Sequence, residues 1–172
     1  MKTLRRSINK AEVGGEPLPP AFAAFERAGI ILRRAEVTVV AGTPGAGKSS
    51  VALAIAVKTK HPTLYFSADT NAHTMAMRLI AMTGKMTQAA AEQLWQDSEG
   101  NQRFYIVEDR DGSVEEMKAL ISNLILGCDC KVIVLDPVND ITEGLSNEEQ
   151  ASFVKWLKGM TKSHLVTFIL IS

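Results

Sequence analysis

The chain has 172 residues, of which 46% are apolar and 22% charged, and its formal net charge at pH 7 is zero. These values are typical of one globular domain, and the missing basic excess argues against a dedicated nucleic-acid-binding protein. No segment approaches the roughly 20 apolar residues of a membrane span, and no apolar stretch of a secretory signal follows the basic first residues. We therefore expect a cytoplasmic protein without a membrane partner.

Strand and helix patterns alternate along most of the chain. Residues 1–34 are an exception, because they carry a net positive charge and contain GGEPLPP at 14–20, which suits neither a helix nor a strand interior. We predict an N-terminal arm at 1–34 and a core domain at 35–172. The predicted strands are 37–42, 63–67, 103–108, 131–136 and 165–172. The predicted helices are 21–28, 47–60, 73–82, 87–96, 113–126 and 147–162.

The predicted strands are nearly continuous apolar runs. Such runs are typical of a mainly parallel sheet that helices cover on both faces, so the pattern predicts an α/β three-layer sandwich. Ser113 and Glu116 have the spacing of a capping box at the start of one helix. In the last helix an apolar stripe is formed by Phe153, Trp156, Leu157 and Met160, which favours a core face over a groove for a partner.

The two cysteines, Cys128 and Cys130, flank a single aspartate. A Cys-x-Cys pair supplies at most two metal ligands, and the sequence offers no second pair at a suitable spacing. We therefore predict free thiols, buried or half-buried, in a protein of a reducing compartment.

The segment GTPGAGKS at 42–49 has the P-loop pattern GxxxxGK[ST] and lies between a predicted strand and a predicted helix. Glycines let backbone N–H groups approach a phosphate, and the N-terminus of the following helix adds a positive dipole end. Lys48 would contact the β- and γ-phosphates, and the Ser49 hydroxyl would bind Mg²⁺. The predicted nucleotide-binding residues are Gly42, Thr43, Pro44, Gly45, Ala46, Gly47, Lys48, Ser49 and Ser50.

Acidic residues follow three of the predicted strands. KVIVLD ends at Asp136, which fits a carboxylate for Mg²⁺ beside the P-loop, although an aspartate is also a common strand terminator. Proline, not glutamate, follows Asp136, so a catalytic base must come from another strand end. The candidates are Asp69, after TLYFSA, and Glu108 with Asp109, after RFYIV. In an open α/β sheet the site lies at the carboxyl ends of the strands.

With these motifs the chain resembles the RecA-like motor domain of hexameric replicative helicases, both the DnaB type and the helicase half of phage primase–helicases. The resemblance runs from about residue 18 to residue 172. It is carried by VTVVAGTPGAGKSSVALAIA, LYFSADTNAHTMAMRLIAM, FYIVEDRDGSVEEMKALI and VIVLDPVNDITEGLSNEEQASFVKWLKGMTKSHLVTFILIS. It implies a sheet order of 3-2-4-5-1, ATP and Mg²⁺ as cofactors, single-stranded DNA as a partner, a homo-oligomeric ring hexamer in the full-length form, and a bacterial or phage-infected host cytosol.

By this resemblance Asp69 lies where the family has its catalytic glutamate, one methylene shorter. Asp69 is therefore the predicted base, with Glu108 in reserve. The structural alternative for Asp69 is an N-cap of the next helix. Arg78 matches a family arginine, to which we assign no role.

The segment 137–146 lies where the family has a DNA-facing loop. It contains two acids and no Lys or Arg, so basic side chains cannot pair with phosphates there. Asn139, Thr142 and Gly144, together with backbone groups, are the predicted DNA-contacting residues. The alternative is a plain connection between a strand and a helix.

The resemblance also places a sensor of the γ-phosphate at Ser172 or just beyond it, and an arginine finger, a second DNA loop and C-terminal strands after that point. The arginine finger, the second DNA loop and the C-terminal strands lie outside the sequence. We therefore expect a fragment, or a short phage or prophage paralogue whose edge strand 37–42 is covered by another chain. The favoured function is the ATP-driven motor of a DnaB-like helicase. The alternatives are a RecA-like recombination, repair or regulatory ATPase that switches assembly, and a nucleotide-binding subunit or loader without turnover.

Overall fold

A computed structural model describes residues 15–95, 104–108 and 113–172. The strands are β1 Val37–Val40, β2 Thr63–Ser67, β3 Phe104–Glu108, β4 Val132–Asp136 and β5 Thr167–Ile171. The helices are α1 Ala23–Arg27, α2 Lys48–Thr59, α3 Ala72–Gly84, α4 Gln88–Trp95, α5 Val114–Gly127, α6 Val138–Ile141 and α7 Asn147–His164.

The described strands form one parallel sheet in the order β1-β5-β4-β2-β3. Read from the opposite edge, this is the predicted order 3-2-4-5-1, and the predicted α/β fold is confirmed. Parallel neighbours need long crossover connections, which the helices provide. The carboxyl ends of β1, β5, β4 and β2 therefore lie side by side along one edge of the sheet.

The core lies on both faces of the sheet. Along β4, Val132 and Val134 join the cluster beneath α2 and α3, while Ile133 and Leu135 join the cluster beneath α5 and α7. This alternation follows from the period of two in a strand, and two apolar faces explain why the strand sequences are apolar throughout.

Two helices begin with capping boxes. The predicted pair Ser113 and Glu116 is present at the start of α5, and Ser146 with Glu149 forms a second box at the start of α7, which we did not predict. The predicted apolar stripe of α7 is confirmed, because Phe153 and Leu157 are fully buried and Trp156 packs against the same cluster.

The described part of the predicted N-terminal arm packs on the domain. Pro17 and Arg33 form an antiparallel bridge, Leu18 is buried, and Phe25 contacts the cluster beneath α2. Residues 1–14 lie outside the described part, so the suggestion that the basic arm covers a neighbouring subunit stays a prediction. At the sheet edge, β1 pairs with β5 alone among the described strands, and Val39 is 58% exposed.

Both cysteines are free thiols, as predicted, with Cys130 buried and Cys128 half-buried. Burial, together with the neighbouring Cys128 and Asp129, raises the pKa of Cys130 to about 11, so this thiol stays protonated at neutral pH. Within the described residues no group of three His, Cys, Asp or Glu side chains is placed to hold a metal ion. No helix in the same residues is long and apolar enough to cross a bilayer.

Candidate nucleotide-binding site

The loop between β1 and α2 has the backbone of a phosphate cradle. Gly45 and Gly47 have φ values of +77° and +80°, in the left-handed region where a side chain would be strained. Apart from the adjoining residues, no heavy atom lies within 4 Å of a Cβ built at either position, so the space beside the loop is open. No side chain caps the start of α2, which leaves its first-turn N–H groups for a ligand.

Lys48 folds back over this loop. Its Nζ donates hydrogen bonds to the carbonyl oxygens of Gly42 at 2.7 Å and Thr43 at 3.2 Å. The loop is also tied to the sheet, since the Gly42 N–H donates to the carbonyl of Ser172 at 3.3 Å. The ammonium group is thereby held at the mouth of the cradle, where the β- and γ-phosphates of a nucleotide would lie.

A cleft of about 500 Å³ opens above the loop. It brings together predicted residues from three separate segments of the chain: the P-loop, Asp69 after β2, and Asp136 at the end of β4. Strand pairing explains this meeting, because β2 and β4 are neighbours with Ser67 opposite Asp136. The lining residues are Pro44, Gly45, Ala46, Gly47, Lys48, Ser49, Ser50, Asp69, Thr70, Arg78, Asp136, Pro137 and Ile171.

Asp136 is buried, with 3% of its surface exposed, and its Oδ2 accepts a hydrogen bond from the Tyr65 hydroxyl at 2.5 Å. Burial and the adjacent Asp136 carboxylate raise the pKa of Tyr65 far above its usual value, so the phenol is the donor at any physiological pH. Tyr65 was not among the site residues predicted from the sequence. The sequence feature that could have indicated it is a polar hydroxyl within an otherwise apolar strand, since the tyrosine lies two residues before a serine on the same face.

Asp69 is exposed at the edge of the cleft, and its Oδ1 accepts a hydrogen bond from the Thr70 hydroxyl at 2.9 Å. The N-cap alternative for Asp69 is wrong. The N-cap of α3 is Asn71, whose side chain accepts from the Thr74 N–H at 2.8 Å. Asn71 directly precedes the first helical residue, which is the position that a capping side chain needs.

Glu108, the reserve candidate for the base, contacts a helix end instead of the P-loop. Its Oε2 accepts a hydrogen bond from the Ala72 N–H at 2.8 Å, in the first turn of α3, and it is not among the residues that line the cleft. A carboxylate at a helix N-terminus is stabilised by the positive dipole end. Asp109, the other acid after this strand, lies outside the described residues.

Arg78, for which no role was predicted, lines the cleft from α3. It is exposed, and its Nη1 lies 3.7 Å from the Sδ atom of buried Met75. The guanidinium is a cation near two acidic residues and a phosphate cradle. The match to a family arginine was the available signal for this position.

The segment 137–146 is not wholly a loop, and this corrects the prediction. Val138–Ile141 form the short helix α6, and the Thr142 hydroxyl donates to the Val138 carbonyl at 3.0 Å. The helix is limited to a single turn because Pro137 before it is extended, and because the Thr142 hydroxyl bonds to a backbone carbonyl at its end. The Asn139 Oδ1 accepts from the Ser172 hydroxyl at 3.3 Å, and Gly144 has a φ of +77°. DNA contact by Asn139, Thr142 and Gly144 stays a prediction.

The donor set of the cleft fits a magnesium–nucleotide complex. The Ser49 hydroxyl and the Asp136 carboxylate both line the cleft, and oxygen atoms of these types are the ligands that Mg²⁺ prefers. They lie beside a loop whose glycine conformations leave room for a phosphate.

Comparison with known proteins agrees with this geometry. A family model described as an AAA domain matches residues 26–172. The Gene 65 protein of Mycobacterium phage L5 is 41% identical over 103 residues, which cover 57% of this chain and 38% of that protein. The Gene 65 protein of Mycobacterium phage D29 is 44% identical over 70 residues, which cover 38% of this chain and 30% of that protein. The matched region therefore spans well under half of each relative.

Proposed function

The chain belongs to the AAA-domain family of P-loop nucleotide-binding ATPases, and from this premise we propose that it hydrolyses ATP as the motor domain of a DnaB-like replicative helicase on single-stranded DNA. The observation that supports ATP hydrolysis is that one cleft is lined by Lys48, Ser49, Asp69 and Asp136. The helicase part is supported by the motif resemblance and by the relatives from phages.

In the proposed reaction each cleft residue has one task. Lys48 and the loop N–H groups bind the β- and γ-phosphates, and Ser49 and Asp136 would hold Mg²⁺, which supplies positive charge to the phosphate oxygens. The Asp69 carboxylate orients a water molecule and accepts its proton as the new oxygen–phosphorus bond forms. The bond from phosphorus to the bridging β,γ-oxygen breaks, and ADP and inorganic phosphate are the products.

The choice of Asp69 over Glu108 rests on their positions. Asp69 lines the cleft that contains the P-loop, whereas the Glu108 carboxylate is bound to the Ala72 N–H at the start of α3. One oxygen of Glu108 is thereby engaged by the backbone, and Glu108 is not among the residues that line the cleft, where the attacking water must lie. Glu108 instead links the end of β3 to the helix that carries Arg78.

Replacement of Asp69 by asparagine is expected to lower ATP turnover by about 100-fold or more while nucleotide affinity is retained, because the amide cannot accept the proton of water. Steady-state turnover and titration with a fluorescent ATP analogue measure the two quantities. The matched control is Glu108→Gln, which should keep most of the turnover and lower the melting temperature. If Glu108→Gln abolishes turnover and Asp69→Asn does not, Glu108 is the base.

The helicase proposal predicts that single-stranded DNA stimulates ATP turnover several-fold, since a motor couples hydrolysis at ATP sites shared between subunits to movement along the strand. The measurement is ATP turnover with and without single-stranded DNA, followed by displacement of a labelled strand from a forked duplex. Turnover that is indifferent to DNA, with no strand displacement, would contradict the motor function while leaving ATP hydrolysis intact.

A specific observation favours a second candidate, a RecA-like recombination, repair or regulatory ATPase that uses ATP to switch assembly. The segment 137–146 carries two acids and no basic residue, and the Asn139 side chain is bound to Ser172. A nucleotide-dependent change in oligomer size without strand displacement would identify this function. Nucleotide binding without any turnover would identify a non-hydrolysing subunit or loader.

A further inference from the structure

We propose that Tyr65 is a positioning residue for the metal-binding carboxylate, because its hydroxyl holds Asp136 from the neighbouring strand. The inference rests on the proposed binding of a magnesium–nucleotide complex and adds a residue that no P-loop motif contains. Tyr65 would act through Asp136, without contacting the nucleotide itself.

The register of the sheet makes this contact possible. Tyr65 lies opposite Val134 and Ser67 lies opposite Asp136, so Tyr65 and Asp136 are on the same face of the sheet, offset by two residues along the strands. Two residues of a parallel strand correspond to about 6.6 Å. A tyrosine side chain spans that offset and places its hydroxyl 2.5 Å from the Asp136 Oδ2.

Both partners of this hydrogen bond are buried in apolar surroundings. Tyr65 is fully buried and Asp136 nearly so, and the tyrosine ring belongs to the apolar cluster that contains Leu53 and Ile55 of α2 and Met75 of α3. Within the described residues no buried side-chain polar atom lacks a partner. A hydrogen bond to one carboxylate oxygen is stronger in such surroundings than in water, so it restricts the rotation of the group and thereby the direction of its second oxygen.

The chemical type of the donor also suits a metal site. A phenol carries no charge, so it orients the Asp136 carboxylate without forming the ion pair that a Lys or Arg would form there. The negative charge of Asp136 therefore remains for a cation in the cleft. Residues that hydrogen-bond to a metal ligand without touching the metal raise metal affinity by fixing the ligand's orientation.

The test is the Mg²⁺ dependence of nucleotide binding in Tyr65→Phe, which removes the hydroxyl and keeps the ring. The probe is a fluorescent ADP analogue, titrated once in EDTA and once over a range of Mg²⁺ concentrations. We expect unchanged affinity in EDTA and a Mg²⁺ midpoint raised by about 10-fold or more. The matched control is Tyr105→Phe, since this half-buried tyrosine packs against the cluster on the opposite face of the sheet and should leave the midpoint unchanged.

A second measurement separates positioning from packing. In an Asp136→Asn background, Tyr65→Phe should cause no further shift of the Mg²⁺ midpoint, because the carboxylate that it positions is already gone. A wild-type midpoint in the single variant, or equal shifts in both backgrounds, would overturn the inference and leave the proposed function standing. If the wild-type protein fails to bind the probe under either condition, the proposed function itself is contradicted.

Discussion

Replacement of Lys48 by alanine is expected to lower ATP turnover by about 100-fold or more, the effect of removing one preorganised cation or donor from a reacting phosphate. Lys48 is held at the mouth of the P-loop by the Gly42 and Thr43 carbonyls, so its ammonium is positioned before a nucleotide arrives. We expect nucleotide affinity to fall as well, since Lys48 contacts phosphates in the bound state and in the transition state. Turnover and fluorescent-nucleotide titration test both effects.

The matched control is Lys58→Ala, an exposed lysine of the same helix that does not line the cleft. This variant loses the same charge and the same helix-compatible side chain, so wild-type turnover is expected. Equal losses in the two variants would mean that general charge or helix stability, and not phosphate binding, explains the effect. Wild-type turnover in Lys48→Ala would contradict the assignment of the P-loop as the catalytic site.

Replacement of Phe168 by alanine is expected to lower the free energy of unfolding by about 3–5 kcal/mol. Phe168 is fully buried on β5, between β1 and β4, and its ring centroid lies 6.2 Å from that of Trp156. The substitution leaves a cavity in the cluster beneath α5 and α7, where strands and helices from distant parts of the chain meet. Since whole domains are stable by only about 5–15 kcal/mol, the variant should be near its folding threshold.

Urea denaturation followed by circular dichroism measures this change. The matched control is Phe22→Ala, because Phe22 is 39% exposed and its main aromatic contact is an edge-on arrangement with Phe25 at 5.4 Å. The control should lose no more than about 1.5 kcal/mol. If Phe168→Ala also loses no more than about 1.5 kcal/mol, the cluster collapses around the cavity. This face of the sheet would then contribute less stability than its burial indicates.

Much of this protein can be predicted from continuous stretches of its sequence. The P-loop is a local motif whose glycines and lysine have fixed spacing, so GTPGAGKS is recognisable without tertiary contacts. The apolar strands and the amphipathic helices between them predict a parallel sheet, because each pattern reflects which faces are buried. The strand order came from the family resemblance, since periodicity does not determine which strands are neighbours.

Contacts between distant segments were decided by the tertiary structure alone. The pairing of β2 with β4 brings the Tyr65 hydroxyl to Asp136, and the pairing of β2 with β3 places Glu108 at the start of α3. Without the family resemblance, the sequence pattern alone does not distinguish Glu108 from Asp69, since each is an acid after a strand, and it does not place Arg78 in the cleft.

The sequence by itself therefore determined the elements, the phosphate cradle and the acids at strand ends. The structure decided which of those acids faces the cleft, that Asn71 and not Asp69 caps α3, and that residues after Asp136 begin with a helical turn. The physical reason is that motifs and periodicities act over a few residues, whereas side-chain partners depend on strand register and helix packing across the whole sheet.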